Sequence, residues 1–583
     1  MMTTPSTRCL GLAVWLALCA GPSGSVAQQQ LRAQAPSQPG LDAIFLPFAG
    51  SSTPGCAVAA TVPGQPRLED AYGMADLERG VPNTPSTIFE AGSVSKQFTA
   101  AAVVLLAQRG KLSLDDDIRR YLPEVPDFGG RTITVRELLN HTSGLRDWGV
   151  VAAMAGWPRG TRATTNAHVL DIVAHQRRLN FDPGTEWSYS NTNYNLAAIL
   201  VQRVSGLSLA EYTRRELFQP LGMEHTSWRD DYTRVVPGRA VAYEMLNDTL
   251  RTSMPNENAY GNGGLLTTVG DLLLWNDELD TGRVLGSALP AALQREGMLA
   301  GGKPTGYGAG LFLGRYRGER EVWHPGATGG YRAVLARYPE RGASLAILCN
   351  QGEADAGALA HALADLLLGD GATAATGAIG ATGAIAASGF SKAAPPPEAP
   401  QPPRVTVERA ELERLAGVYR DRGTAEPVRF QVSDGVLRTR GVALEPLSGT
   451  DFRGTSGPEF RLVFQPAPGG GGGRPKALGI MGRDTTVLDA VAPADTCAAH
   501  LADYAGDWYS PEAEATWTLA PEDGKLVARR RPDTRLELQP AYADAFTSTP
   551  GAVWVFDRDA SGKVTGLGIW LQRARDMRFE RVR

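Results

Sequence analysis

Between Gly371 and about Arg404 the chain is built largely from Gly, Ala, Thr, Ser and Pro. Ala-Thr-Gly-Ala-Ile recurs at Ala375 and Ala381, and the stretch closes on Pro395-Pro396-Pro397 and Pro402-Pro403. Side chains this small and prolines this dense bury no core, so residues 369–404 are expected to form a mobile linker. That boundary constrains everything else, because 583 residues exceed what one core holds and must be shared between its two sides. Upstream, helical patterns at Gln97–Gln108, Tyr194–Val204 and Thr268–Glu278 alternate with short apolar strands, which predicts one sizeable α/β (α+β) domain over 41–368. Downstream, short alternating runs are broken by Asp-Gly and Gly-rich turns, the pattern of antiparallel hairpins.

The downstream half repeats itself. Ala416-Gly417-Val418-Tyr419 returns as Ala505-Gly506-Asp507-Trp508-Tyr509, Asp434-Gly435 as Asp523-Gly524, and Leu444-Glu445-Pro446 as Leu538-Gln539-Pro540. Two copies in one order predict a duplicated small β domain, 405–490 and 497–583. Turn spacing allows about eight strands per copy, enough to close an antiparallel, lipocalin-like β barrel without exposed edges.

The first residues read as an export signal. Arg8 gives the positive start, Leu10 to Leu18 the apolar stretch and Ser25-Val26-Ala27 the cleavage site, so 1–27 is expected to be removed and the remainder to be periplasmic or secreted. The apolar run is too short to span a membrane, and no transmembrane segment is expected. Anchoring as a lipoprotein at Cys19 is less favoured, because Leu18 stands where a small residue is wanted. Removing the signal leaves Cys56, Cys349 and Cys497, which allow one bridge at most. Cys56 and Cys349 lie in apolar, strand-like runs and are read as buried free thiols. No Cys-x-x-Cys or His-Glu-x-x-His occurs, so no metal and no other cofactor is expected. A net charge of -4, from Lys+Arg 58 against Asp+Glu 62, offers no basic surface for nucleic acid.

Three short elements carry chemistry. Ser93-Val94-Ser95-Lys96 opens the apolar helix that Gly110 stops, and puts Ser93 and Lys96 on one face, near backbone N–H groups and the positive end of the helix. A lysine held there and desolvated loses proton affinity and can act as a base. Tyr189-Ser190-Asn191 leads into a second helix. Its phenol could exchange a proton with the serine, and the Asn191 amide could bind a substrate amide. Tyr260-Gly261-Asn262 fits the same pattern but sits in a Gly-rich turn, better suited to a backbone role. His324-Pro325-Gly326-Ala327 precedes a strand. There Gly326 permits close approach of substrate, the Ala327 N–H could pair with that of Ser93 around an oxyanion, and His324 would be a titratable cation or donor.

In this order the three elements resemble the penicillin-recognising serine hydrolase family, which includes class C β-lactamases, DD-peptidases, D-aminopeptidases and related esterases. Leu138 to Leu145, Phe181 to Asn191, Pro220-Leu221-Gly222-Met223 and Asn262-Gly263-Gly264-Leu265 look like further segments of that family, over about Leu41 to Leu368. The resemblance implies a β-lactamase-like fold with Ser93 as nucleophile, Lys96 and Tyr189 as the proton-handling pair, and Asn191, His324 and Gly326 at the substrate. It also implies an oxyanion hole from the Ser93 and Ala327 N–H groups. His141 and Ser143 look structural, and no Gly-x-Ser-x-Gly elbow exists. His324-Pro325-Gly326 stands where the lactamases have Lys-Thr-Gly; Pro325 has neither hydroxyl nor N–H for a substrate carboxylate, which argues against β-lactamase activity.

The expected function is therefore an exported acyl-enzyme hydrolase of small peptides or amides, similar to D-aminopeptidases. An esterase with the same nucleophile and a non-catalytic envelope-binding module are the alternatives. A hydrolase followed by two barrels resembles the D-aminopeptidase layout, where a barrel loop reaches the active site. The long Pro-rich linker argues against such docking here, and the barrels could instead support a homodimer.

Overall fold

The computed structural model describes residues 39–369, 405–456, 460–465, 475–481, 484–495, 498–549 and 551–582. The expected leader at 1–27, the linker beyond Gly369 and Cys497 lie outside the described residues. The first unit is built on a six-stranded antiparallel sheet of β1 (Cys56–Thr61), β2 (Leu68–Tyr72), β3 (Phe312–Tyr316), β4 (Glu319–Thr328), β5 (Tyr331–Tyr338) and β6 (Ala343–Cys349). Their spatial order is β3-β4-β5-β6-β1-β2, so the first strand closes beside the last. Both faces are covered. In β1, Cys56, Val58 and Ala60 pack towards the terminal helices Pro39–Phe45 and Ala356–Leu368, while Ala57 and Ala59 face the main core. The uninterrupted apolar runs of β1 and β6 are the expected signature of strands buried on both sides.

That register corrects the reading of the cysteines. Cys56 and Cys349 are directly opposed across β1 and β6, on one face, with Cα atoms 4.0 Å apart, and they form a disulfide. They are 293 residues apart in sequence, so their strand character was legible but their pairing was not.

Helix α1 (Lys96–Gln108) is buried on every side from Lys96 to Leu106; its polar Gln97 accepts from the Trp275 indole, Thr99 donates to the Gly261 carbonyl, and the buried run from Ala100 on is apolar, as in a helix through the middle of a core. It ends at Arg109, followed by Gly110 with φ 68°. The short helix α2 (Trp148–Met154) is capped by Asp147, whose carboxylate accepts the Gly149 N–H. Helix α3 (Asn191–Ser205) stops at Gly206, again left-handed with φ 75°. Among the described residues no helix is long and apolar enough to cross a membrane.

Downstream, both copies close into antiparallel barrels of eight strands, from Gly417–Asp421 to Asp484–Val491 and from Gly506–Ser510 to Ala574–Arg581. The repeats do the same work in each. Asp434-Gly435 and Asp523-Gly524 have positive φ at both positions, 55° and 73° in one copy and 48° and 75° in the other. These are the tight hairpin turns for which Asp-Gly is suited. The second barrel is filled by Trp508, Trp517, Trp554, Phe556 and Phe579. The barrels touch each other: Val418 packs with Tyr542 and Ala545, and the Tyr542 hydroxyl donates to the Ala425 carbonyl at 2.9 Å.

The second barrel is docked on the first unit, against the expectation drawn from the linker. Val151 and Met154 of α2 belong to the barrel's own apolar cluster. Arg146 and Glu512 form an ion pair at 2.9 Å with both side chains at most 2% exposed, and the same carboxylate oxygen accepts the backbone N–H groups of Arg177 and Arg178. Arg146 also donates to the carbonyls of Arg575 and Asp576. Linker composition speaks only of reach; the faces that meet are set by residues elsewhere.

A buried pair whose one partner is removed leaves an uncompensated charge, at a cost of roughly 3–5 kcal/mol. Glu512→Ala should therefore release the barrel from the first unit, seen as new protease sensitivity around Gln176–Asn180 and a lower denaturation midpoint. A variant with unchanged protection would contradict the docking.

Candidate active site

Ser93 sits in the 3-10 turn Gly92–Ser95, which runs directly into α1. Ser93 is partly exposed, whereas Ser95 and Lys96 are fully buried. Ser95 anchors the turn: its hydroxyl donates to the Gly92 carbonyl and accepts the Leu265 N–H. The Lys96 amine contacts three acceptors, Ser93 Oγ at 3.1 Å, Asn191 Oδ1 at 3.0 Å and the Asn262 carbonyl at 2.6 Å. Burial holds this amine well below the ordinary lysine value of 10.5; Arg159 and Arg573 add repulsion and Asp147 opposes it.

The same geometry defines what the neutral amine does. The two amide oxygens can only accept, so they keep its two N–H bonds, and the lone pair is left facing Ser93, whose O–H then donates. The Asn191 orientation is fixed rather than free. Its Nδ2 donates to Asp147 Oδ2 at 3.0 Å, and its backbone N–H donates to the same oxygen at 2.8 Å, which turns Oδ1 to Lys96. Asn191, expected beside the substrate, thus has its amide committed to Lys96 and Asp147.

Tyr189 covers this cluster. Lys96 Nζ lies 4.7 Å from its ring centroid and the Arg573 guanidinium 5.0 Å. Burial pushes the phenol above its ordinary value, against a hydrogen bond with Ser93 and the charge of Arg573, so Tyr189 is protonated at neutral pH. Arg573 comes from the second barrel, in the two-residue turn between Val564–Leu571 and Ala574–Arg581. Its carbonyl accepts from the Asp147 N–H at 2.9 Å and from Asn180 Nδ2 at 3.2 Å.

His324 is not the titratable cation expected. It is 1% exposed, and burial pulls its pKa down to about 3. Its Nδ1 faces the Pro325 carbonyl at 2.7 Å and must donate, so Nε2 accepts the Tyr307 hydroxyl at 2.9 Å. The ring backs Tyr189, with centroids 6.2 Å apart, and is closed to solvent.

Strand β4 pairs with β3 only as far as Trp323, so His324 to Thr328 run along an open edge, where Pro325 is tolerated. That edge passes against the Gly92–Ser95 turn. A side chain at Gly326 would run into the Ala91 carbonyl, and a Cβ at Gly92 would lie 2.5 Å from Ala327 N. Ala327, an exposed residue, therefore lies against Gly92, the residue before Ser93.

The competing motifs fall elsewhere. Tyr260-Gly261-Asn262 supplies the Asn262 carbonyl, while Tyr260 packs on Trp228. His141 is fully buried with a left-handed φ of 62°, and Ser143 donates to Asn193 rather than to His141. Asp147, Tyr307 and Arg573 join this cluster from outside every one of these motifs. Asp147 alone carried a local signal, as an Asp just ahead of a helix.

The profile of the Beta-lactamase family matches residues 41–369. A D-aminopeptidase of Gluconobacter oxydans is 31% identical over 316 residues, 54% of this chain and 59% of that protein. One of Brucella anthropi is 33% identical over 284 residues, 48% of this chain and 52% of its own length. The matched segment thus spans little more than half of these relatives. The octameric penicillin-binding protein homologue from Pyrococcus abyssi shares the fold at 21% identity and TM-score 0.50, over 79% of this chain and 99% of that one. With more than half its length matched and the Ser93–Lys96 helix at its centre, the chain belongs to the Beta-lactamase family.

Proposed function

We propose that this chain is an exported acyl-enzyme hydrolase of peptide or amide bonds. The observation that carries the reading is the buried Lys96 amine, 3.1 Å from Ser93 Oγ and held well below its ordinary pKa by desolvation. In this scheme the Ser93 proton passes to Lys96 Nζ as Oγ bonds to the substrate carbonyl carbon, and the oxyanion is taken by the Ser93 and Ala327 N–H groups. Tyr189, kept protonated by burial, gives its proton to the leaving nitrogen as the C–N bond breaks, and regains one from Lys96. Water then attacks the acyl carbon, giving its proton back through the same pair, and Ser93 leaves with a hydrogen. His324 holds the shelf on which Tyr189 rests.

Acyl donors with a D-residue are supported by the names of the Gluconobacter and Brucella relatives. The Cys56–Cys349 bridge supports an oxidising compartment, hence export. Pro325 offers no hydroxyl to a β-lactam carboxylate, which argues against lactamase turnover.

Ester hydrolysis needs the same acylation step, so p-nitrophenyl acetate should give a pre-steady-state burst that Ser93→Ala abolishes. D-Phenylalanine p-nitroanilide should be cleaved faster than its L-enantiomer, and nitrocefin slowly. A burst that survives in Ser93→Ala, or rapid nitrocefin turnover, would contradict the scheme. Gly326→Ala forces β4 off the nucleophile turn and should slow acylation roughly a hundredfold, as loss of an oxyanion donor does, with unchanged circular dichroism.

A further inference from the structure

Arg573 stands out among the arginines at the junction of the two units. Arg146, Arg178 and Arg575 are each paired with a carboxylate, of Glu512, Asp576 and Glu186. Arg573 enters no ion pair among the described residues, although it is half-buried and its backbone is clamped by Asp147 and Asn180. Its guanidinium lies 5.0 Å from the ring centroid of Tyr189, on the side of the site furnished by the second barrel. Asp147, the acid next to Arg573, is already occupied, accepting from Asn191 and from its own helix cap, and Glu257 beyond it pairs with Arg159.

A planar, always-charged fork delivered by a rigid turn, with no acid of its own, suits a carboxylate arriving with the ligand. It also lies where an incoming ammonium would be repelled. We propose that Arg573 is a specificity-determining residue, contributed by the second barrel, that binds a carboxylate on the leaving-group side of the substrate. The side follows from Tyr189, which meets the leaving nitrogen in the scheme above, and the inference rests on that scheme. It gives this chain a way to hold a substrate carboxylate that Pro325 in β4 cannot provide. It also distinguishes the substrate from one recognised through a cationic end.

Two thioesters with one acyl group, D-phenylalanyl, and leaving thiols that differ in charge, mercaptoacetate and its methyl ester, test this in the full chain. The carboxylate-bearing thioester should have the higher kcat/KM, by about ten- to a hundredfold, the range of a charge-assisted hydrogen bond. Arg573→Met should bring the ratio close to one, Arg573→Lys should keep part of it, and Arg573→Glu should favour a thiocholine thioester, whose quaternary ammonium cannot accept the acyl group. A ratio unchanged in Arg573→Met, with both rates lowered together, would mean that Arg573 only tunes Tyr189 and would overturn the assignment. So would a wild-type ratio of one or less. Fluorophosphonate labelling of Ser93 in the same samples separates the two levels. Labelling without charge selectivity removes Arg573 alone, whereas a folded protein that neither labels nor turns over either thioester removes the acyl-transfer reading and this inference with it.

Discussion

The structure turns on placing one lysine amine where water cannot reach it. Lys96 loses its hydration at the start of a helix that is buried on every side, and in return meets two amide oxygens, those of the Asn191 side chain and the Asn262 backbone. A group whose folded pKa is depressed binds its proton less well than in the unfolded chain. Between the depressed value and 10.5 the unfolded state holds more protons, so this burial costs stability that is recovered as pH rises through that window. The surrounding features make sense as the means of holding that arrangement. Asp147 orients Asn191, glycines at 261 and 264 shape the turn that presents the Asn262 carbonyl, and Ser95 ties the Gly92–Ser95 turn to Leu265.

The second barrel belongs to this arrangement rather than to a separate module. The segment that carries Asp147 is held from one side by Asn191 and from the other by the Arg573 carbonyl, so the docking contact and the lysine cluster share a residue. Placing Arg573 above Tyr189 adds positive charge beside Lys96 and the phenol, favouring the neutral amine and opposing the upward pull of burial on Tyr189. Linkage through Asp147 means that loss of the barrel would reach Lys96 and Tyr189 by position and by charge.

Much of this was legible in the sequence because it is local. The apolar run after Ser93, the glycine at its end and the Asp-Gly pairs of the duplicated half act through backbone preferences within a few residues. The family resemblance brought together residues 93, 189 and 324, whose distance in the chain hides their proximity. What stayed illegible depends on surfaces meeting. The Cys56–Cys349 bridge requires knowing that the first strand lies beside the last, and the neutral state of His324 requires Tyr307 and the burial around it. Arg573 stands in an unremarkable hairpin turn, and only the docking through Arg146 and Glu512 gives it a place over Tyr189.

The central claim is that Lys96 is a neutral amine at the pH where the protein works, and its titration can be followed directly. The chain has few lysines, so 13C- and 15N-labelled lysine spectra of the full protein can be assigned by comparison with Lys96→Met. One lysine resonance should titrate well below 10.5 and be absent from the Lys96→Met spectrum. A Lys96 signal that stays protonated up to 10.5 or beyond would contradict it.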